Sequence, residues 1–215
     1  MTYAYAAILF AAAFVLLLIL LHFLKPELNP VWHMVSEYEI GRHGWLMQIA
    51  FFCWGASLLS LLVVLWPYLG SAAGSISRWW LLLISAALAG AGIFKTNSIT
   101  DNANNANPNP ANTLHALCGA FVVLTFPVAA ALAACSLLHS GPWIPFASQL
   151  TFLTVLAWAG VILYFSSIVI SRKLDPAAGR AGPKVYQGWP NRFMVFTYIY
   201  WIIILAINTI RILKA

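Results

Sequence analysis

Of the 215 residues, 62% are apolar and only 7% are charged, with a formal net charge of +6. A soluble domain has about a quarter of its residues charged, so this chain cannot solvate a globular surface and lipid must be the solvent for most of it. Its bases flank apolar runs, where they set membrane orientation, and the composition therefore carries no signature of nucleic-acid binding.

A membrane span needs about 20 mostly apolar residues, and six stretches qualify, at about 5–24, 45–67, 79–97, 113–138, 149–171 and 192–213. The first has no Lys or Arg ahead of it and exceeds the roughly 7–15 residues of a signal-peptide core, so it reads as a retained helix. The expected fold is all-α: a polytopic integral membrane protein, one six-transmembrane-helix bundle over 1–215. Cys53, Cys118 and Cys135 lie inside apolar runs without CxxC spacing and read as small apolar residues.

A polar stretch, Lys25 to Gly44, follows the first span and holds three of the five acids and two of the five histidines. Within it Ser36 precedes Glu39 by three, the spacing of a capping box. Gly90 and Gly92, set among Ala87, Ala89 and Ala91, allow the third helix to approach a neighbour closely. The Asn- and Pro-rich run from Asp101 to Asn112 reads as a hydrated loop, with Asn112 or Thr113 capping the fourth helix. Pro127 removes a backbone donor inside that helix and should kink it. Trp45, Trp66, Trp79, Trp80, Trp143 and Trp189 fall near span ends and read as interface anchors.

With six spans, both termini share one side. The loops after helices one, three and five carry Lys25, Arg42, Lys95, Arg172, Lys173, Arg180, Lys184 and Arg192, against Arg78, Arg211 and Lys214 on the other side. The positive-inside rule then places those three loops in the cytoplasm, with the protein in a bacterial or archaeal cell membrane. All five acids lie on the same side, so one face is polar and chemically varied.

The candidate polar site on that face comprises Ser36, Glu37, Tyr38, Glu39, Asn97, Asp101, His115 and Arg192. Ser36 with His33 or His115 could form a nucleophilic dyad, but no GxSxG elbow supports it, and a capping role fits equally. His22, His33, His43 and His115 could ligate a metal with Glu37, Glu39 or Asp101. No HExxH or HxxxH pair exists, so no metal is assigned, and no cofactor is identified. Lys95 and Arg192 either snorkel to water or turn inward to pair with Glu37, Glu39 or Asp101. His115, in the first turn of helix four, suits a ligand, a base or an ordinary hydrogen-bond partner.

Several short motifs carry a resemblance. The run Asn-Pro-Val-Trp-His-Met-Val-Ser-Glu-Tyr-Glu-Ile-Gly-Arg-His-Gly-Trp-Leu-Met resembles the first loop and second helix of the membrane family catalogued as domain of unknown function 998. Ile93-Phe94-Lys95-Thr96-Asn97, His115 and the Gly188-to-Arg192 entry of the last helix match its later features in order and spacing. Asn97 departs from the Asp typical there. The resemblance implies six helices and a membrane location, and no established activity. A weaker likeness is to intramembrane zinc hydrolases of the alkaline ceramidase type, whose paired late histidines are absent from helix six.

Two functions follow as expectations. In the first, the protein sits in the bilayer and binds a lipid or hydrophobic small molecule, or docks as an accessory subunit of a membrane complex. In the alternative it is an intramembrane hydrolase-like enzyme acting on a lipid-like substrate. A transporter is disfavoured, because the chain lacks visible duplicated halves and mid-membrane charge.

Overall fold

In hydrocarbon every backbone amide must be satisfied internally, which leaves an apolar chain of this kind the helix as its way across. The computed structural model describes residues 1–100, 109–178 and 181–215. Its long helices are α1 (Thr2–Leu24), α2 (Gly44–Leu65), α3 (Ala72–Ile93), α4 (Pro110–Leu137), α5 (Ala147–Leu174) and α6 (Gly188–Lys214). They run from 22 to 28 residues, about 33–42 Å at 1.5 Å per residue, against a hydrocarbon core of about 30 Å. All six are apolar enough to cross a membrane, and no strand occurs among the described residues.

Helix starts differ from the apolar runs where capping decides them. α3 begins at Ala72 rather than near Trp79, because the Ser71 hydroxyl accepts from Gly74 N at 3.1 Å and caps a first turn too polar to count as a span. It ends at Ile93, short of Asn97, where Phe94 turns extended. α4 starts at Pro110 with Asn109 as its cap, so neither Asn112 nor Thr113 caps it. Asn112 instead reaches across to the chain that follows α3, its Oδ1 accepting from Asn97 N at 2.9 Å.

Neighbouring helices pack in chain order, and α1 and α6 close the bundle, while α4 meets α5 more sparsely than it meets α3. A Cβ at Gly92 would fall 3.0 Å from Gln48 O, and one at Gly90 would fall 2.8 Å from Cys118 Sγ, so α3 sits close to both α2 and α4. Serine hydroxyls tie the same faces: Ser85 donates to Gly55 O at 2.7 Å and Ser77 to Ala129 O at 2.9 Å.

α4 continues through Pro127. The proline leaves Val123 O without its backbone donor, and Tyr198 of α6 supplies one, its hydroxyl donating to that carbonyl at 2.8 Å. Tyr198 also stacks on Phe126 at 4.2 Å. The helix defect is thereby repaired from a neighbour, as lipid requires. Trp45, Trp66 and Trp189 are exposed near helix ends and Trp79 is exposed two turns inside α3, whereas Trp143 is fully buried against Tyr68 and Phe146 and is a core residue, not an anchor. Cys53, Cys118 and Cys135 are free thiols.

Candidate functional site

Three connections meet at one end of the bundle, and the polar stretch after α1 folds over it as a lid. Asn29 Oδ1 accepts from Val31 N at 2.9 Å and starts the turn. A tight 3-10 turn, Val35–Glu39, follows, and the Glu37 carboxylate accepts from Met34 N at 2.8 Å. The lid therefore caps itself at Met34 and Glu37, not at Ser36 and Glu39. Gly41 and His43, both with positive φ, turn the chain into α2.

Two buried cations hold the lid from beneath. Lys25, at the end of α1, donates to Tyr38 O at 3.1 Å and also to Ile40 O. Burial holds its ammonium below the usual lysine range. Arg192, in the first turns of α6, is 2% exposed. It donates to His33 O at 2.7 Å, Gly188 O at 3.0 Å, Tyr38 Oη at 3.1 Å and Pro30 O at 3.3 Å. Its Nε donates to His22 Nε2 at 2.8 Å. The His22 ring must accept there, because its Nδ1 faces the Leu18 carbonyl at 2.7 Å and so carries the proton. Arg192 thus turns inward, yet its partners among the described residues are neutral groups rather than Glu37 or Glu39, and Asp101 lies outside the described residues. Lys95 is exposed, and its charge acts on the Glu39 carboxyl.

The lid's carboxylates face the chain after α3. Glu37 Oε1 accepts from Ile99 N at 3.0 Å and lies 3.1 Å from His33 Nδ1. Glu39 Oε2 accepts from Thr96 N at 3.1 Å and lies 3.4 Å from His115 Nδ1. Its Oε1 is buried without a hydrogen bond among the described residues. Burial pushes the Glu39 carboxyl up to about 7, against the opposing pull of the Thr96 amide, Gln48 and Lys95. Unfolded, it titrates near 4.5. Between those values the folded protein holds a proton that the unfolded chain has released, so stability falls as pH rises through that window and stays reduced above it. Melting in detergent should therefore occur at lower temperature at pH 8 than at pH 5, by a free energy on the order of 1–3 kcal/mol. Glu39→Gln should flatten that dependence; a variant retaining the full slope would show that another group sets it.

His115 joins lid, α3 and α4. Its Nδ1 lies 2.7 Å from Phe94 O and 3.0 Å from Ala91 O. Carbonyls only accept, so Nδ1 carries the proton and Nε2 keeps a lone pair. That nitrogen has no hydrogen bond among the described residues, and the ring lines a cavity of about 290 Å³. Met34, Val35, Ser36, Thr96, His115 and Asn191 form the lid end; Trp54, Leu88, Val122 and Val195 lie deeper. Ala116, Gly119, Ala120 and Val123, on one face of α4, oppose Tyr164 and Phe165 of α5. Ala116, Ala120 and Phe165 are also exposed on the flank of the bundle, so the cavity opens sideways between α4 and α5.

Ser36, Glu37, Tyr38, Glu39, His115 and Arg192 therefore come together in and under the lid. Ser36 and His115 face the cavity; the others fasten the lid. Asn97 joins the α3–α4 connection through Asn112 and does not line the cavity, while Asp101 lies outside the described residues. Lys25, Thr96, Tyr164 and Asn191 belong to the arrangement without having been singled out. Asn191 was readable as a second polar residue beside Arg192 at the entry of an apolar helix. Among the described residues no cluster of three or more His, Cys, Asp or Glu is arranged to hold a metal ion.

Fold and site together define a multi-pass α-helical integral membrane protein with a polar lid over a cavity between its helices. The family model described as a protein of unknown function (DUF998) matches residues 6–208, and the chain belongs to that family. No curated protein and no solved structure matches it.

Proposed function

We propose that this protein binds a lipid-like or other hydrophobic small molecule, which enters from the bilayer between α4 and α5 and places its polar end under the lid. The sideways-opening cavity carries the reading. Its volume, about 290 Å³, lies at the lower end of ligand pockets, which run from about 300 to 1,000 Å³ and are mostly apolar with a few placed polar groups. That size suits one chain or a small ring system rather than a two-chain lipid. The excess of bases around the lid supports placing it on the cytoplasmic side.

Gly119 supplies the test, because a Cβ there meets nothing within 4 Å. Gly119→Leu should fill the cavity without a clash and leave the melting temperature at or above that of the native protein. In nanodiscs, a C18 hydrocarbon probe bearing a diazirine should label the cavity walls of the native protein. The variant should lose that labelling by about tenfold or more, equivalent to about 1.4 kcal/mol. Equal labelling of both would sink the proposal.

One observation favours a second reading, an intramembrane hydrolase-like activity: the Ser36 hydroxyl, without a partner among the described residues, lines the same cavity as His115. Release of the acyl chain from a single-chain ester probe, abolished in Ser36→Ala with labelling retained, would favour that reading.

A further inference from the structure

The polar atoms at the lid end restrict what the head of such a ligand can be. His115 offers a lone pair at Nε2 and no proton there, since Phe94 O and Ala91 O fix the proton on Nδ1. A ligand group meeting it must donate. Asn191 offers the opposite. Its Oδ1 accepts from Val35 N at 3.0 Å, which fixes the amide orientation and leaves Nδ2 as a donor with no partner among the described residues. A ligand atom meeting it must accept. The Ser36 hydroxyl can do either.

Charge restricts the head further. Among the described residues no Lys, Arg, Asp or Glu lines the cavity. Lys25 and Arg192 are committed to lid carbonyls, so an anionic head would find no cation and would lie near the buried Glu37 and Glu39. An ammonium head would meet the Asn191 donor and, among the described residues, no carboxylate at the cavity wall. An ion placed in this apolar site would lose its hydration without a counterion, at a large cost. A hydroxyl meets every requirement, because its hydrogen donates to Nε2 while its oxygen accepts from Nδ2.

We infer that the ligand is an uncharged single-chain amphiphile with a hydroxyl head, such as a long-chain or isoprenoid alcohol or a monoacylglycerol, held between His115 Nε2 and Asn191 Nδ2. This rests on the cavity reading above and adds the chemistry of the head.

Competition against the diazirine hydrocarbon probe in nanodiscs tests the two separately. Hexadecanol, hexadecyl phosphate, hexadecylamine and hexadecane share one chain and differ in the head. Hexadecanol should displace the probe about tenfold more effectively than the other three, since a site built to hydrogen-bond a hydroxyl rejects analogues lacking it. His115→Asn isolates the cause. The asparagine Nδ2 lies the same number of bonds from Cα as histidine Nδ1, so it keeps the donor for Phe94 O and removes Nε2. That variant should stay folded, still bind the hydrocarbon probe and lose the preference for the alcohol. Ser36→Ala, which breaks no hydrogen bond, reports on the hydroxyl if His115→Asn unfolds, and it should reduce the preference by about threefold, within the worth of one hydrogen bond. A phosphate or amine competing as well as the alcohol, or a preference that survives both substitutions, overturns the inference while leaving the cavity reading intact. Failure of all four compounds to displace the probe overturns both.

Discussion

Arg192→Met should destabilise the protein by about 3–5 kcal/mol and release the lid. Two effects oppose each other. Methionine removes a buried cation that has no carboxylate partner among the described residues, which recovers part of its desolvation cost. It also strands Pro30 O, His33 O, His22 Nε2 and Tyr38 Oη, which the guanidinium serves from one plane. Each buried acceptor left unmade costs about 1–3 kcal/mol, so the losses win. Arg192→Lys should do no better, because an ammonium keeps the charge but cannot reach acceptors arranged around a planar fork. Thermal unfolding in detergent measures the cost, and hydrogen exchange over residues 31–40 reports whether the lid has loosened. Native-like exchange in both variants would show that the lid is held by something else.

Gly188→Ala should rival that effect through the backbone alone. The Gly188 amide donates to Val31 O at 2.9 Å, so the lid lies directly on the first turn of α6. A Cβ there would fall 2.7 Å from His33 O and 2.8 Å from Trp32 N, and closer still to Pro30 O. Those atoms are all backbone, and no rotamer can move them aside. We expect a loss of about 2–3 kcal/mol, the upper range for overpacking. Gly119→Ala is the matched control. It adds the same methyl to open space within a helix and should be neutral or stabilise by up to about 1 kcal/mol. Similar melting temperatures for the two variants would contradict the packing described here.

The six spans were legible in the sequence because lipid admits few alternatives, and an apolar run of sufficient length is nearly a statement of its fold. Polarity was informative for the same reason. In a chain this apolar, Glu37, Tyr38, His115 and Arg192 stood out, and they do gather at one end. What stayed hidden depends on backbone conformation. Arg192 was weighed against carboxylate partners, but its partners are carbonyls of Pro30 and His33, whose directions exist only once the lid has turned. The S-x-x-E spacing at Ser36 and Glu39 suggested one cap, while the turn begins two residues earlier and uses Glu37. Trp143 shares its local sequence context with true anchors, and only the packing of Tyr68 and Phe146 makes it a core residue. The cavity was invisible for a related reason. Ala116, Gly119 and Ala120 read equally as a face for close helix packing or as the wall of a void, and the choice lies with α5.

The fastening of the lid also fixes an order of events. Its second-built segment is held by residues made last. The bond from Val35 N to Asn191 spans 156 positions, and that from Arg192 to His22 spans 170. Closing loops of that length is entropically costly and waits on all the intervening chain. The lid therefore cannot reach its final geometry until α6 has been synthesised and inserted. During synthesis Lys25 alone, of the two buried cations, is present to restrain it. Completion of the polar end is thus a late step, and it marks a chain whose six helices are all in place.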